Sequence, residues 1–297
     1  MTREITLLVN PTAGRGRGAH AAQPAARALR DAGFPVRTLV GEDGLDALRR
    51  ARAAVDGGTE ALIAVGGDGL VSLALQAVAG TTTPLGVIAV GTGNDFARAL
   101  GLPIRDPARS GRLTARALER GATQGVDLGR VGRKWFGTVL ASGFDSRVND
   151  RANRMRWAGG RFTYDLAMVA ELAALRPISY RVTLDDRPPR RLEATLIAVG
   201  NGPSYGGGMR VCAGAKLDDG LFDVTIVADC TRTTLLRVVP RVYRGTHLNH
   251  PKVTVHRARS VTLEAAGVTG YADGEPLGPL PLTAECVRGA VRVLTGG

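Results

Sequence analysis

The chain has 297 residues, 39 Lys and Arg against 27 Asp and Glu (net charge +12), and a hydrophobic content of 44%. That length fits two domains of ordinary size, and that apolar content excludes a disordered chain. Three widely spaced cysteines (Cys212, Cys230, Cys286) exclude a disulfide framework, and no run of 18 apolar residues offers a membrane span.

The first hundred residues alternate strand and helix. Residues 5–9 read as a strand, 19–32 as an alanine-rich helix, 36–40 as a strand and 45–55 as a helix. A short apolar strand at 61–65, a helix at 70–79 and a strand at 85–90 follow. Strands apolar on both sides need helices on both faces, which predicts an open α/β sheet with a mostly parallel core. Near residue 126 the rhythm becomes β-rich, with strands at 125–131, 135–140, 180–184, 194–199, 223–227, 252–256 and 260–264. Gly, Pro and Asp punctuate them at short intervals, and one helical stretch interrupts at 164–175. We therefore expect an α/β unit over residues 1–126 and a mostly antiparallel β unit over residues 127–297. The chain enters its first strand directly after Arg3 and Glu4, so no secretory leader is expected and the expected location is cytoplasmic.

Only Lys134, Lys216 and Lys252 are lysine; the other basic residues are arginine, a bias that composition alone can generate. The charge permits an anionic partner without requiring one. Aromatic residues are 4% of the chain and form no stacking platform on a basic groove, so no nucleic-acid partner is expected. His20, His247, His250 and His256 form no metal-ligand pattern.

Ligands of parallel α/β sheets sit at the carboxyl ends of the strands. Three strands here end in glycine-bearing loops: Asn10-Pro11-Thr12-Ala13-Gly14-Arg15-Gly16-Arg17-Gly18, Gly66-Gly67-Asp68-Gly69, and Gly91-Thr92-Gly93-Asn94-Asp95-Phe96-Ala97-Arg98. Glycine lets the backbone approach a ligand and bare its N–H groups, and a helix N-terminus behind the loop favours phosphate. Asp68 and Asp95 repel phosphate themselves. They are expected to hold Mg2+, directly or through water, while Arg15 and Arg17 offer charge-assisted contacts to the anion. Each loop alone also reads as an ordinary turn; three after consecutive strands favour a phosphate site. Neither GxGxxG nor GxxxxGK[ST] is present.

The second half adds three turns. Residues 201–209, containing Tyr205-Gly206-Gly207-Gly208-Met209, form a polar glycine turn after the strand at 194–199. Residues 216–223 either place carboxylates and carbonyls around a cation or make a plain Asp-Gly turn. In Tyr271-Ala272-Asp273-Gly274-Glu275-Pro276 the aspartate either accepts a proton from an attacking hydroxyl or marks a hairpin.

Together with Gly143-Phe144-Asp145 and Asp218-Asp219-Gly220-Leu221-Phe222-Asp223, these strings resemble the diacylglycerol kinase catalytic-domain family. The closer likeness is to its soluble bacterial lipid kinases, relatives of the sphingosine and ceramide kinases. It runs from residue 5 to about residue 294. The resemblance implies a NAD-kinase/phosphofructokinase-like α/β domain joined to a β-sandwich, with ATP and Mg2+ in the cleft between them. It implies Asp273 as general base on a lipid hydroxyl and Asp68 linked to both the catalytic Mg2+ and the base. Asp95 would sit in the adjoining network. Asn10, Arg15, Thr38, Gly66, Gly67, Asp68, Gly69, Leu70, Val71, Ser72, Thr92, Asn94 and Asp95 match nucleotide-binding positions. Lys216 and Leu221 through carbonyls, and Asp219 through its side chain, match a structural Mg2+ site.

Two departures from the family pattern stand out. Leu70 replaces a threonine that would reach the nucleotide, and Ser72 and Leu73 replace an Asn and a Glu. The sequence given stops at Gly297, soon after a strand-like segment at 290–294, so a different closure of the two domains is expected. The implied partner is a lipid at a membrane surface, reached by peripheral contact. The expected patch is Arg147, Arg151, Arg154, Arg156 and Arg161 around Met155, Trp157 and Phe162, or else a solvated loop. A homodimer is left open. The alternatives are a NAD-kinase-like or other small-molecule kinase and a non-catalytic nucleotide- or lipid-binding protein.

Overall fold

In the computed structural model, β1 (Ile5–Val9), β3 (Ala61–Gly66) and β4 (Leu85–Ala89) are buried at every position, as strands covered on both faces must be. The structure describes residues 4–11, 13–144, 146–148, 151, 170–171, 174 and 176–296, with backbone alone for residues 14–17 and 19. β2 (Val36–Val40), β1, β3 and β4 pair in that order, all parallel. The helices α1 (Ala13–Asp31) and α5 (Pro107–Arg120) pack their alanines and leucines on one face, against Ile5, Leu7 and Ile63. On the other face, α2 (Gly44–Asp56) and α3 (Asp68–Val78) cover Leu8, Leu62 and Ala64. A short helix, α4 (Asp95–Ala99), leaves the end of the β4 loop.

Two differences from the sequence reading lie in this half. α1 begins at Ala13, so Gly14, Gly16 and Gly18 are helical rather than part of a glycine loop. Gly18 is needed for packing: a Cβ there would collide with the Asn10 carbonyl. α5 was not expected, although its caps are written in the sequence. Asp106 accepts from Arg109 N–H, Pro107 opens the first turn, and Gly121 closes the last at φ 62°.

The second half is antiparallel throughout. Its strands are β5 (Thr123–Val131), β6 (Lys134–Phe136), β7 (Val139–Gly143), β8 (Ile178–Leu184), β9 (Arg190–Gly200), β10 (Phe222–Ala228), β11 (Val253–Ala258), β12 (Ser260–Glu264), β13 (Thr269–Ala272), β14 (Glu275–Pro279) and β15 (Leu282–Leu294). The order runs β14-β13-β7-β9-β8-β12-β15, with β10 and β11 branching from β9 and β5 and β6 from β15. These strands enclose a core that includes Phe136, Tyr180, Ile197 and Phe222, where the Phe136 and Phe222 rings stack at 5.8 Å. Outside the sandwich lies α6 (Arg232–Arg244), capped by Thr231 and by Gly245 at φ 71°, another helix the sequence reading did not include. The expected helix at 164–175 falls almost wholly outside the described residues. All three cysteines are free and buried, and burial pushes the Cys212 and Cys286 thiols up to about 12.

The mostly parallel core of the first half is as expected, and β15 joins it to the antiparallel half. This strand pairs antiparallel with β12 and β5, then meets β4 in parallel through Val293 and Leu85, so the sheet is mixed. Its last residues close the two halves. Ala290, Val291 and Val293 enter the core beneath α2 and α3, Leu294 enters the one beneath α1 and α5, and the Ala290 carbonyl accepts from Gly80 N–H at 2.8 Å. Residues 290–294 are therefore themselves the segment that packs back on the first half. Val293 is fully buried there. Val293→Ala is expected to lower stability by about 2 kcal/mol, read as a lower urea midpoint at unchanged m-value.

Candidate active site

The carboxyl ends of β3 and β4 come together through their glycines. A Cβ on Gly91 would stand 2.5 Å from the Gly67 Cα, so only glycine lets the two loops touch backbone to backbone. α3 starts at once after Gly67. The N–H groups of Leu70 and Val71 return to the Gly67 carbonyl at 3.0 and 3.1 Å, and those of Asp68 and Gly69 remain at the open helix end. Asn94 adopts the left-handed conformation at φ 61° and turns the β4 loop back on itself. That turn aims the N–H groups of Asn94 and Asp95 at Asp68, to Oδ2 at 2.6 Å and Oδ1 at 2.7 Å. Gly93 sits between the two acids, where a side chain would collide with Asp68. Arg98 and Arg105 donate to the carbonyls of Gly93 and Thr92 at 3.0 and 3.2 Å, placing positive charge on the outside of this loop.

Asp95 is buried and joins the two halves. Its Oδ1 accepts from Ser204 Oγ at 3.1 Å and Gly208 N–H at 2.8 Å, and its Oδ2 from Gly207 N–H at 2.7 Å. Gly206, Gly207 and Gly208 all have positive φ, which lets this turn aim successive N–H groups at one carboxylate. Asp273 enters from the tip of the β13–β14 hairpin. It and Gly274 both have positive φ, as a two-residue hairpin loop requires, so the two readings of this motif coexist in one structure. Asp273 Oδ2 accepts from Gly137 N–H at 2.7 Å, and Oδ1 accepts from Thr138 N–H at 2.9 Å and from Thr138 Oγ1. Gly137 and Thr138 are in turn tied to the first half. Gln76 on α3 exchanges bonds with the Trp135 N–H and carbonyl at 2.9 and 2.8 Å, and a Cβ on Gly137 would press Phe96 at 2.7 Å.

Asp68 feels the charges of the other two carboxylates. Burial holds the Asp68 carboxyl above the ordinary 3.8, and the charges of Asp95 and Asp273 push the same way against two backbone N–H bonds. Burial also raises Asp273, outweighing its Thr138 and Gly137 donors. A divalent cation fits such a place. Each Asp68 oxygen uses one bond, which leaves lone pairs for Mg2+ or its water. Among the described residues no three His, Cys, Asp or Glu side chains form a closed cage, and Mg2+ typically takes one or two carboxylates plus phosphate and water. The buried Asn94 Oδ1 has no partner.

The expected positions separate into three sets. Gly66, Gly67, Asp68, Gly69, Thr92, Asn94, Asp95 and Asp273 surround the cleft described above. Leu70 and Val71 turn their side chains into the first core, and Leu70 packs on Gly66, so their contribution at the cleft is backbone. Ser72 is half-buried one turn into α3. Asn10 follows β1 and donates its N–H to the Val65 carbonyl at 3.3 Å. Thr38 is exposed on the edge strand β2, two residues before its end. The side chain of Arg15 lies outside the described residues, as do Arg154, Arg156, Trp157 and Arg161; Arg151 is described and pairs with Glu171 at 2.6 Å.

Of the expected cation-site positions Lys216, Asp219 and Leu221, the structure shows the contacts of Asp219. Asp219 Oδ1 accepts from Leu221 N–H at 3.1 Å, and its Oδ2 is paired with the Arg257 guanidinium. Arg257 also lies 3.4 Å from Asp223, its cross-strand partner in the β10–β11 ladder. The positive charge between these two carboxylates is an arginine. Nearby, Asp127 accepts from Gly220 and Gly289 N–H at 2.6 and 2.7 Å, which ties this loop to the turn within β15. Sequence reading missed Thr138, Ser204 and Gln76 as site-building residues, and Gly137 with them; no pattern marks them, because each acts on a residue distant in the chain.

An α/β sheet with glycine loops at its strand ends, closed by a sandwich that lends an aspartate to the same cleft, defines the NAD-kinase-like class of folds. The NAD kinase from Archaeoglobus fulgidus in complex with ATP superposes with a TM-score of 0.57 at 12% identity, over 100% of this chain and 94% of that one. A diacylglycerol kinase from Bacillus anthracis str. Sterne gives 0.75 at 22% identity, over 99% and 97%. Residues 4–131 match the diacylglycerol kinase catalytic domain, and residues 138–295 the YegS C-terminal NAD kinase beta sandwich-like domain. A diacylglycerol kinase of Mycobacterium tuberculosis is 45% identical over 296 residues, 98% of this chain and 94% of its own length. The chain belongs to the diacylglycerol kinase catalytic-domain family.

Asp95→Ala would strand Ser204 Oγ and the Gly207 and Gly208 N–H groups. It is expected to cost about 3 kcal/mol, measured by chemical denaturation, with faster hydrogen exchange at Gly207 and Gly208.

Proposed function

We propose that this chain is an ATP-dependent lipid kinase that transfers the γ-phosphoryl group to the hydroxyl of a diacylglycerol-like lipid. The observation that carries the reading is the meeting of Asp273, offered by the second half, with Asp68 and Asp95 at the phosphate-facing loops of the first. Its companion is the 45% identity to a diacylglycerol kinase along nearly the whole chain.

The N–H groups of Asp68 and Gly69 at the head of α3 and the glycine backbones of both loops face the nucleotide phosphates. Leu70 removes a hydroxyl but leaves that backbone cradle intact. Mg2+ held at Asp68 would neutralise charge on the phosphates. Asp273 accepts the proton of the lipid hydroxyl as its oxygen bonds to the γ-phosphorus and the bond to ADP breaks. Its raised proton affinity makes it a stronger base than an exposed aspartate, while Gly137 and Thr138 fix its orientation. Asp68 sets the local field and Asp95 holds the two halves in register around it. A lipid substrate would be met at a bilayer surface; among the described residues no helix is long and apolar enough to cross a membrane.

The test is transfer from γ-labelled ATP to a panel of diacylglycerol, sphingosine, ceramide and NAD. Label in diacylglycerol supports the reading; label in NAD, or in no acceptor, overturns it. Asp273→Asn is expected to lower kcat by about 10³-fold with little change in melting temperature. In the unaltered protein, kcat/KM should fall toward acid pH with an apparent pKa above 3.8, because burial favours the protonated Asp273. A flat acid limb would remove Asp273 from the base role.

A further inference from the structure

The face of α6 turned away from the sandwich carries two stripes that the packing does not use. Leu235, Val238, Val239 and Val242 face inward, with Leu235 and Val238 buried. Leu236, Pro240 and Tyr243 are exposed at spacing i, i+4, i+7, and so share one side of the helix. Leu236 is 57% and Tyr243 52% exposed, among the few large apolar side chains so placed. One residue further on, Arg237, Arg241 and Arg244 repeat the same spacing and form a parallel exposed stripe. The helix contains no acidic residue, and no carboxylate pairs with these three arginines among the described residues.

A lone exposed leucine needs no explanation, but an apolar ridge flanked by an unneutralised cationic ridge matches the boundary between acyl chains and anionic headgroups. The charge is wrong for a second copy of the same face, which would bring like charges together. The helix is also fixed to the cleft. The Val242 carbonyl accepts from Arg210 N–H at 3.2 Å, two residues after Gly208, whose N–H binds Asp95. Below its C-terminus His247 Nε2 meets the Val211 carbonyl at 3.0 Å. A surface docked on α6 is therefore rigidly placed relative to Asp95 and the reacting groups.

Resting on the lipid kinase reading, we infer that α6 is a membrane-docking helix that inserts Leu236 and Tyr243 into an anionic phospholipid surface while Arg237, Arg241 and Arg244 hold its headgroups. The test is co-sedimentation with vesicles of phosphatidylglycerol and phosphatidylcholine, against phosphatidylcholine alone. The unaltered protein should bind the anionic vesicles in a salt-sensitive way. A variant with Arg237→Gln, Arg241→Gln and Arg244→Gln, and a second with Leu236→Ser and Tyr243→Ser, should each bind at least tenfold more weakly. Both should keep their circular dichroism and their activity on a short-chain, dispersed diacylglycerol. Unchanged vesicle binding in both variants overturns the inference, as does equal loss of activity on the dispersed substrate. If the unaltered protein phosphorylates no lipid, the kinase reading fails, and the vesicle arm still decides the role of the helix.

Discussion

Three carboxylates held together in a partly buried cleft repel one another, and much of this protein is arranged to keep them there. None is stabilised by a facing lysine or arginine side chain among the described contacts. Asp68 is held by two backbone N–H groups, Asp95 by two and a hydroxyl, and Asp273 by two and a hydroxyl. Backbone dipoles fix position without cancelling the charge, so the site keeps a demand for a cation and a proton. In the proposed phosphoryl transfer, Mg2+ and the hydroxyl proton of the acceptor would meet that demand. The glycines follow from the same constraint, since Gly67, Gly91 and Gly93 are the positions where any side chain would hold the loops and acids apart.

The cleft persists because both of its walls belong to one hydrogen-bonded frame. β15 runs from the sandwich into the first half and buries Val291, Val293 and Leu294 there. Asn201 Nδ2 bonds the carbonyls of Asp127 and Gly137 at 2.8 and 2.9 Å, linking the start of the glycine turn to the strand that crosses between halves and to the Asp273 cradle. The same frame carries α6, so the surface that would meet a membrane and the acids that would act on its lipid are joined through residues 204–210.

The parts legible in the sequence are those where the signal is local. β1, β3 and β4 announce themselves as continuous apolar runs, and Asp68, Asp95 and Asp273 stand beside the glycines that shape their turns. The strings around them were enough to show the family resemblance. Illegible were the partners. Gly137 and Thr138 reach Asp273 across more than a hundred residues, with groups that every or almost every sequence contains. The Asp219–Arg257 pair depends on the β10–β11 register, which no local pattern discloses. α5 was hidden by arginines spread among few large apolar residues, and α6 by Pro240 within it, although Asp106, Thr231, Gly121 and Gly245 cap them. The glycines of residues 14–18 read as a phosphate loop, whereas Gly18 serves the close seating of α1 on the end of β1.

The most direct test of the carboxylate cluster is the titration of the Asp68 carboxyl carbon by NMR, in the unaltered protein and in Asp95→Asn. The account predicts an inflection above 3.8 that moves down when the Asp95 charge is removed, because that charge stands second only to burial among its causes. An inflection at or below 3.8, or one indifferent to Asp95, would contradict it.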